Sequence, residues 1–148
     1  MQKAFTMIEI IFTIVIIGIL TSIALPMLIA MREDAKVTAT AQNIANAANE
    51  IVTFTIAQGK STGSMSEMST VVQSMITDHA ATLTDNTLNI QMNTIENCLQ
   101  LKITDTAANS HISLLYGNAG TDRLCISLQN LMDRVEYHIP LNGQIIKR

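Results

Sequence analysis

The stretch Phe5-Thr6-Met7-Ile8-Glu9, followed by residues 10–31 without one charged side chain, decides how this chain is read. Twenty-two consecutive residues as α-helix span about 33 Å, enough to cross the hydrocarbon layer of a bilayer. A carboxylate at the mouth of such a span is costly, about 2.5–3.5 kcal/mol at mid-membrane and less near the interface. A plain anchor gains nothing from it. A segment that later meets a partner in a low-dielectric place does gain, because a buried charge selects its counter-ion strongly. Two simpler readings compete. A secretory signal would be cut after Ser22-Ile23-Ala24, but Glu9 then occupies the basic n-region and Pro26 follows the cut. An uncleaved anchor explains the length but not the Phe-Thr-x-Ile-Glu string.

Lys3-Ala4-Phe5-Thr6-Met7-Ile8-Glu9 resembles the class III signal of type IV pilins and pseudopilins. The resemblance implies cleavage of a short basic leader between Ala4 and Phe5, methylation of the new Phe5 amine, and Glu9 as the assembly glutamate. Gly18 and Pro26 fall where that family places a Gly and a Pro in its first helix. The likeness covers about the first thirty residues well and the remainder only in general plan. One residue departs from it: the family overwhelmingly has Gly before the cut, and here it is Ala4.

The helical pattern continues past the apolar span. Val37, Ala41, Ile44, Ala48 and Ile51 follow a 4-3-4-3 spacing, with Ala45, Val52 and Ile56 widening the stripe. Lys36, Thr40, Asn43, Asn46, Asn49 and Glu50 form the opposite face. The helix is predicted to end at Gln58 with Gly59 as its stop. Pro26, which lacks an amide hydrogen, predicts a kink, and with Gly18 a stretch able to unwind during packing. Ser64-Met65-Ser66-Glu67 reads as a capping box opening a second helix to about Ala80, with Met65, Met68, Val71, Val72, Met75 and Ile76 on one face.

From Leu88 the period changes to two. Residues 88–92, 99–103, 112–116 and 124–128 read as strands, then Tyr137, Ile139 and Leu141 lead into an Asn142-Gly143 turn with 144–147 as its return. Pro140 confines its strand to an edge or demands a bulge. The expected fold is α+β: a long N-terminal helix, its lower half transmembrane, packed through its upper half on a small antiparallel sheet. The expected organisation is a leader at 1–4, a transmembrane assembly segment at 5–31 and a periplasmic head at 32–148.

Cys98 and Cys125 each fall out of phase with the apolar residues of their segments, so both thiols are expected on the polar face. A cross-strand disulfide is then geometrically accessible if the strands are neighbours; strand order separates the two otherwise. Such a bridge resembles the stapled C-terminal region of many pilins. His79, His111 and His138 show no metal-ligand spacing, and Asp105, Asn118 and Asp122 form no calcium ladder. Nucleophile motifs, phosphate-cradling glycines and paired carboxylates are missing, so neither enzymatic activity nor a cofactor is expected. A formal charge of −3 with interspersed acids is no nucleic-acid footprint.

The resemblance implies a filament subunit, a pseudopilin or minor pilin, held single-pass in the inner membrane before assembly. Its implied partners are other copies and related pilins, a prepilin peptidase and methylase, an inner-membrane assembly platform and membrane lipid. Type II secretion, DNA uptake and adhesion are all roles of such filaments. The rival reading is a monomeric membrane-anchored periplasmic binding domain.

Overall fold

A computed structural model describes residues 6–59, 64–106, 109–133 and 138–141 of the chain. The chain divides into two compact units, Met1–Lys36 and Val37–Arg148. Helix α1 (Met7–Gln58) supplies residues to both. It ends as expected, with Gly59 at a φ of +72°, the left-handed conformation that favours glycine at a helix C-terminus.

In the second unit α1 is followed by α2 (Met65–Met68), α3 (Thr70–Thr77), β1 (Ala81–Thr84), β2 (Thr87–Met92), β3 (Ile95–Thr106), β4 (Asn109–Tyr116), α4 (Arg123–Met132) and β5 (His138–Pro140). The strands form one antiparallel sheet in the order β1-β2-β3-β4-β5, a meander in which every neighbour in space is a neighbour in sequence. The long helix packs on this sheet in an α+β, pilin-like arrangement. Val37, Ala41, Ile44, Ala47, Ala48 and Ile51 of α1 share one hydrophobic core with Leu88, Ile90, Leu99, Leu101, Ile103 and Ile112. Small alanines alternate with isoleucines along the stripe. The stripe finishes differently from its predicted course. Ile56 is 61% exposed, Val52 is half-buried, and Thr55 is buried instead, its hydroxyl donating to the Ile51 carbonyl at 2.8 Å.

Three further expectations are corrected. The second helix is two helices with a break at Ser69, which closes α2 and N-caps α3 by accepting from the Val72 amide at 3.1 Å. Ser64 does cap α2, but its hydroxyl accepts from Ser66 rather than from Glu67. An additional strand, β1, precedes the predicted ones. It turns into β2 through Asp85-Asn86, with Asp85 at a φ of +51°, a left-handed conformation that Asp and Asn tolerate best after glycine.

The third correction is the largest. Residues 124–128 are helix, not strand: Asp122 accepts from the Cys125 amide at 2.9 Å and starts α4. Its buried residues Cys125, Leu128 and Met132 follow a helical spacing that the Leu124/Ile126/Leu128 alternation masked. Among the described strands Pro140 lies, as expected, on an edge strand. Residues 1–5, the loop at 60–63, Tyr137, the Asn142-Gly143 turn and the return at 144–147 lie outside the described residues.

At the end of the β3–β4 pair the backbones crowd together. A Cβ on Gly117 would lie 1.7 Å from the Asn97 carbonyl oxygen. Gly117→Ala must therefore push the strand ends apart, and is expected to lower stability by about 1–3 kcal/mol in urea unfolding followed by circular dichroism. Removing the Cys98–Cys125 bridge, whose partners are 27 residues apart, is expected to cost about 3.5 kcal/mol of loop-closure entropy. A paired Cys98→Ser, Cys125→Ser variant measured in the same way checks this.

Candidate functional site: the N-terminal helix and its acid

Glu9 lies in the first turn of α1, where the partial positive charge of the helix terminus favours a carboxylate. Its amide donates to the Thr6 carbonyl at 3.1 Å, and its side chain has no partner among the described residues. Every described residue of 6–32 is exposed, including Ile8, Ile11, Phe12, Ile17, Leu20, Ile23 and Leu28. The helix is long and apolar enough to cross a membrane. An apolar surface continuous around a helix needs lipid or other helices to cover it.

The span contains three polar side chains besides Glu9, and all three turn back on their own helix. Thr13 donates to the Ile10 carbonyl at 2.8 Å, Thr21 to Ile17 at 2.7 Å and Ser22 to Ile19 at 2.7 Å. In hydrocarbon this local bonding removes the penalty that an unpaired hydroxyl would carry. With those hydroxyl donors engaged, Glu9 is the only charged side chain of the span and has no side-chain partner among the described residues. Residue 26 removes one backbone donor as well: α1 runs through Pro26, which has no N–H to give the Ser22 carbonyl. Gly18 has open space where a Cβ would stand, so nothing among the described residues requires a glycine there. Ala4 and Phe5, the expected cleavage and methylation positions, lie outside the described residues.

Cys98 and Cys125 are joined, with their Cα atoms 5.6 Å apart. The bridge runs from strand to helix, not strand to strand, and both sulfurs are buried where a polar face was expected. Alternation along β3 turns Cys98 away from Leu99 and Leu101, and α4 covers it there. Gln129 fastens the same corner, its side-chain amide donating to the Cys98 carbonyl at 2.8 Å and the Gly117 carbonyl at 2.9 Å. Asn93, in the β2–β3 turn, donates to Asp122 at 2.6 Å and ties that turn to the start of α4. Among the described residues no group of three or more His, Cys, Asp or Glu side chains could hold a metal ion. Asp122 serves as a helix cap, and Asn118 accepts from the Gly120 amide within its own loop.

One polar arrangement had no counterpart in the sequence reading, which put Glu50 on the solvent face of the long helix. Its carboxylate reaches across to the break between α2 and α3, accepting from the Ser69 hydroxyl at 2.8 Å, the Thr70 hydroxyl at 3.3 Å and the Val71 amide at 3.3 Å. The pair Ser69-Thr70 ahead of Val71-Val72 is a helix-start signal that would have located the break, though not its partner.

Residues 1–25 match the family model described as the prokaryotic N-terminal methylation motif. No curated protein and no solved structure matches the chain. The chain therefore carries at its N-terminus the prepilin-type signal of the type IV pilin and pseudopilin family.

Proposed function

We propose that this protein is a structural subunit, a pseudopilin or minor pilin, of a type IV pilus-like filament of the kind that serves type II secretion, DNA uptake or adhesion. The observation that carries the reading is the methylation motif over residues 1–25, which takes in Glu9, an acid with no side-chain partner among the described residues, and most of the charge-free stretch 10–31. In this reading a prepilin peptidase cuts between Ala4 and Phe5 and a methylase modifies the new amine. The processed chain waits in the inner membrane with its C-terminal domain in the periplasm. An assembly platform then draws it into the filament.

Glu9 of an incoming subunit meets the Phe5 amine of a neighbour once lipid is excluded. In that desolvated setting removing either partner leaves a buried charge alone, a penalty of about 3–5 kcal/mol. The pair thereby fixes the axial stagger between copies. The apolar faces of 8–30 make the filament interior, and the folded heads make its wall. Gly18 and Pro26 mark the stretch where the helix yields as copies pack, since a helix is weakest where a donor is missing or a side chain is absent. The chemistry in this account is done to the chain by its processing enzymes.

Two measurements test it. Intact mass of the membrane-extracted protein is expected to show loss of residues 1–4 and the gain of one methyl group. Retention of Met1 instead favours a tethered periplasmic binding domain. Glu9→Ala is expected to insert in the membrane at wild-type level and to vanish from the sheared filament fraction. Normal filaments from that variant would overturn the proposed pairing.

A further inference from the structure

Among the described residues, Glu50 is a carboxylate held by neutral donors. The Ser69 hydroxyl, itself on a residue only 3% exposed, donates to Glu50 and accepts from the Val72 amide, so a carboxylate–hydroxyl–amide chain links α1 to the first turn of α3. Thr70 and Val71 complete the set. The same groove is lined by Asn49, Thr53, Phe54, Glu67, Met68 and Gln73. Among the described residues, Glu67 is the other titratable group lining the groove, and no cationic side chain lines it. Beneath the break at Ser69 lie Met65, Met68 and Val72, all buried.

We propose that Glu50 is an acid-sensitive latch: ionised, it holds the α2–α3 elbow against α1, and on protonation it lets that elbow open locally while the sheet stays folded. The anion complements the N-terminus of α3 and gives the three donors of Ser69, Thr70 and Val71 one acceptor. A neutral acid keeps only its weaker carbonyl acceptor and loses the attraction to the helix terminus. The Ser69 hydrogen bond, aided by those from Val71 and Thr70 and opposed by burial, holds the Glu50 carboxyl below its ordinary range. A carboxyl lowered in the folded state stabilises fully above its unfolded value, about 4.3, and the contribution fades as pH falls through the folded value. Because the hydrogen-bond partners among the described residues are uncharged, salt is expected to weaken the latch less than it would weaken an ion pair.

Hydrogen-exchange mass spectrometry on the full chain in detergent tests this, with rates corrected for intrinsic pH dependence. In the wild type, peptides covering 64–77 are expected to be protected at pH 7 in low and in 1 M salt. They should exchange about 5- to 10-fold faster below pH 4, while peptides from β2 and β3 stay unchanged. Glu50→Gln is expected to show the faster rate at pH 7 and no further step on acidification. Wild-type protection in Glu50→Gln at pH 7, an undiminished acid step in that variant, or an acid step in the wild type that spreads to β2 and β3 would each overturn the latch. The wild-type titration stands by itself should the variant misfold.

Discussion

The fold depends on one apolar contact, the alanine–isoleucine stripe of α1 against the inner face of the sheet. Ile44, Ala47, Ala48 and Ile51 are wholly buried there, as are Leu88, Ile90, Leu99 and Leu101 opposite them. A five-stranded sheet with one apolar face has no stable existence in water unless something covers it. The same helix that supplies the cover also supplies the apolar span. Its composition changes between Met31 and Arg32, a few residues before the two compact units divide. Before that point hydrophobic residues surround the helix; after it they occupy one side. A single continuous element thus carries two surface patterns, one apolar all round and one apolar on the side that meets the sheet.

Much of this was legible in residue order because periodicity reports burial directly. The Val37–Ile51 stripe, the stop at Gly59, the strands around Leu88–Met92 and Leu99–Ile103, and the edge position of Pro140 each follow from spacing or from a backbone constraint. What was not legible has physical causes too. Residues 124–128 alternate like a strand, yet Leu128 belongs to both a period-two and a helical series; the capping bond from Asp122 settles the matter. Strand β1 is only four residues and carries a single large apolar side chain, Leu83, too little for pattern to detect. The Asp85-Asn86 turn beside it was the available clue. At the helix end, Thr55 is buried in place of Ile56 because its hydroxyl is satisfied inside its own helix, which makes a polar residue an acceptable core neighbour.

The two acids Glu9 and Glu50 sit on one helix and illustrate opposite treatments of a carboxylate. Glu50 is met by three donors from a neighbouring segment of the same chain, so its charge is used to hold the head together. Glu9 meets none among the described residues. Sequence pattern distinguished the second, because an isolated acid beside a long apolar run stands out. It could not distinguish the first, since a glutamate on the polar side of an amphipathic helix is unremarkable until the opposing residues are known. The N-terminal signal was readable for a different reason: it is a linear string of residues, so no tertiary information is needed to see it.

The inward-turned hydroxyls of Thr13, Thr21 and Ser22 have a consequence for selectivity. With those groups spent locally, the flank of this helix presents hydrocarbon and little else. Hydrocarbon attracts without discriminating, because any greasy rod of similar girth satisfies it equally. A membrane holding several such rods would let them mingle freely. Under the proposed assembly, choosing the right neighbour then falls to the lone carboxylate at one end and to the contours of the folded portion at the other.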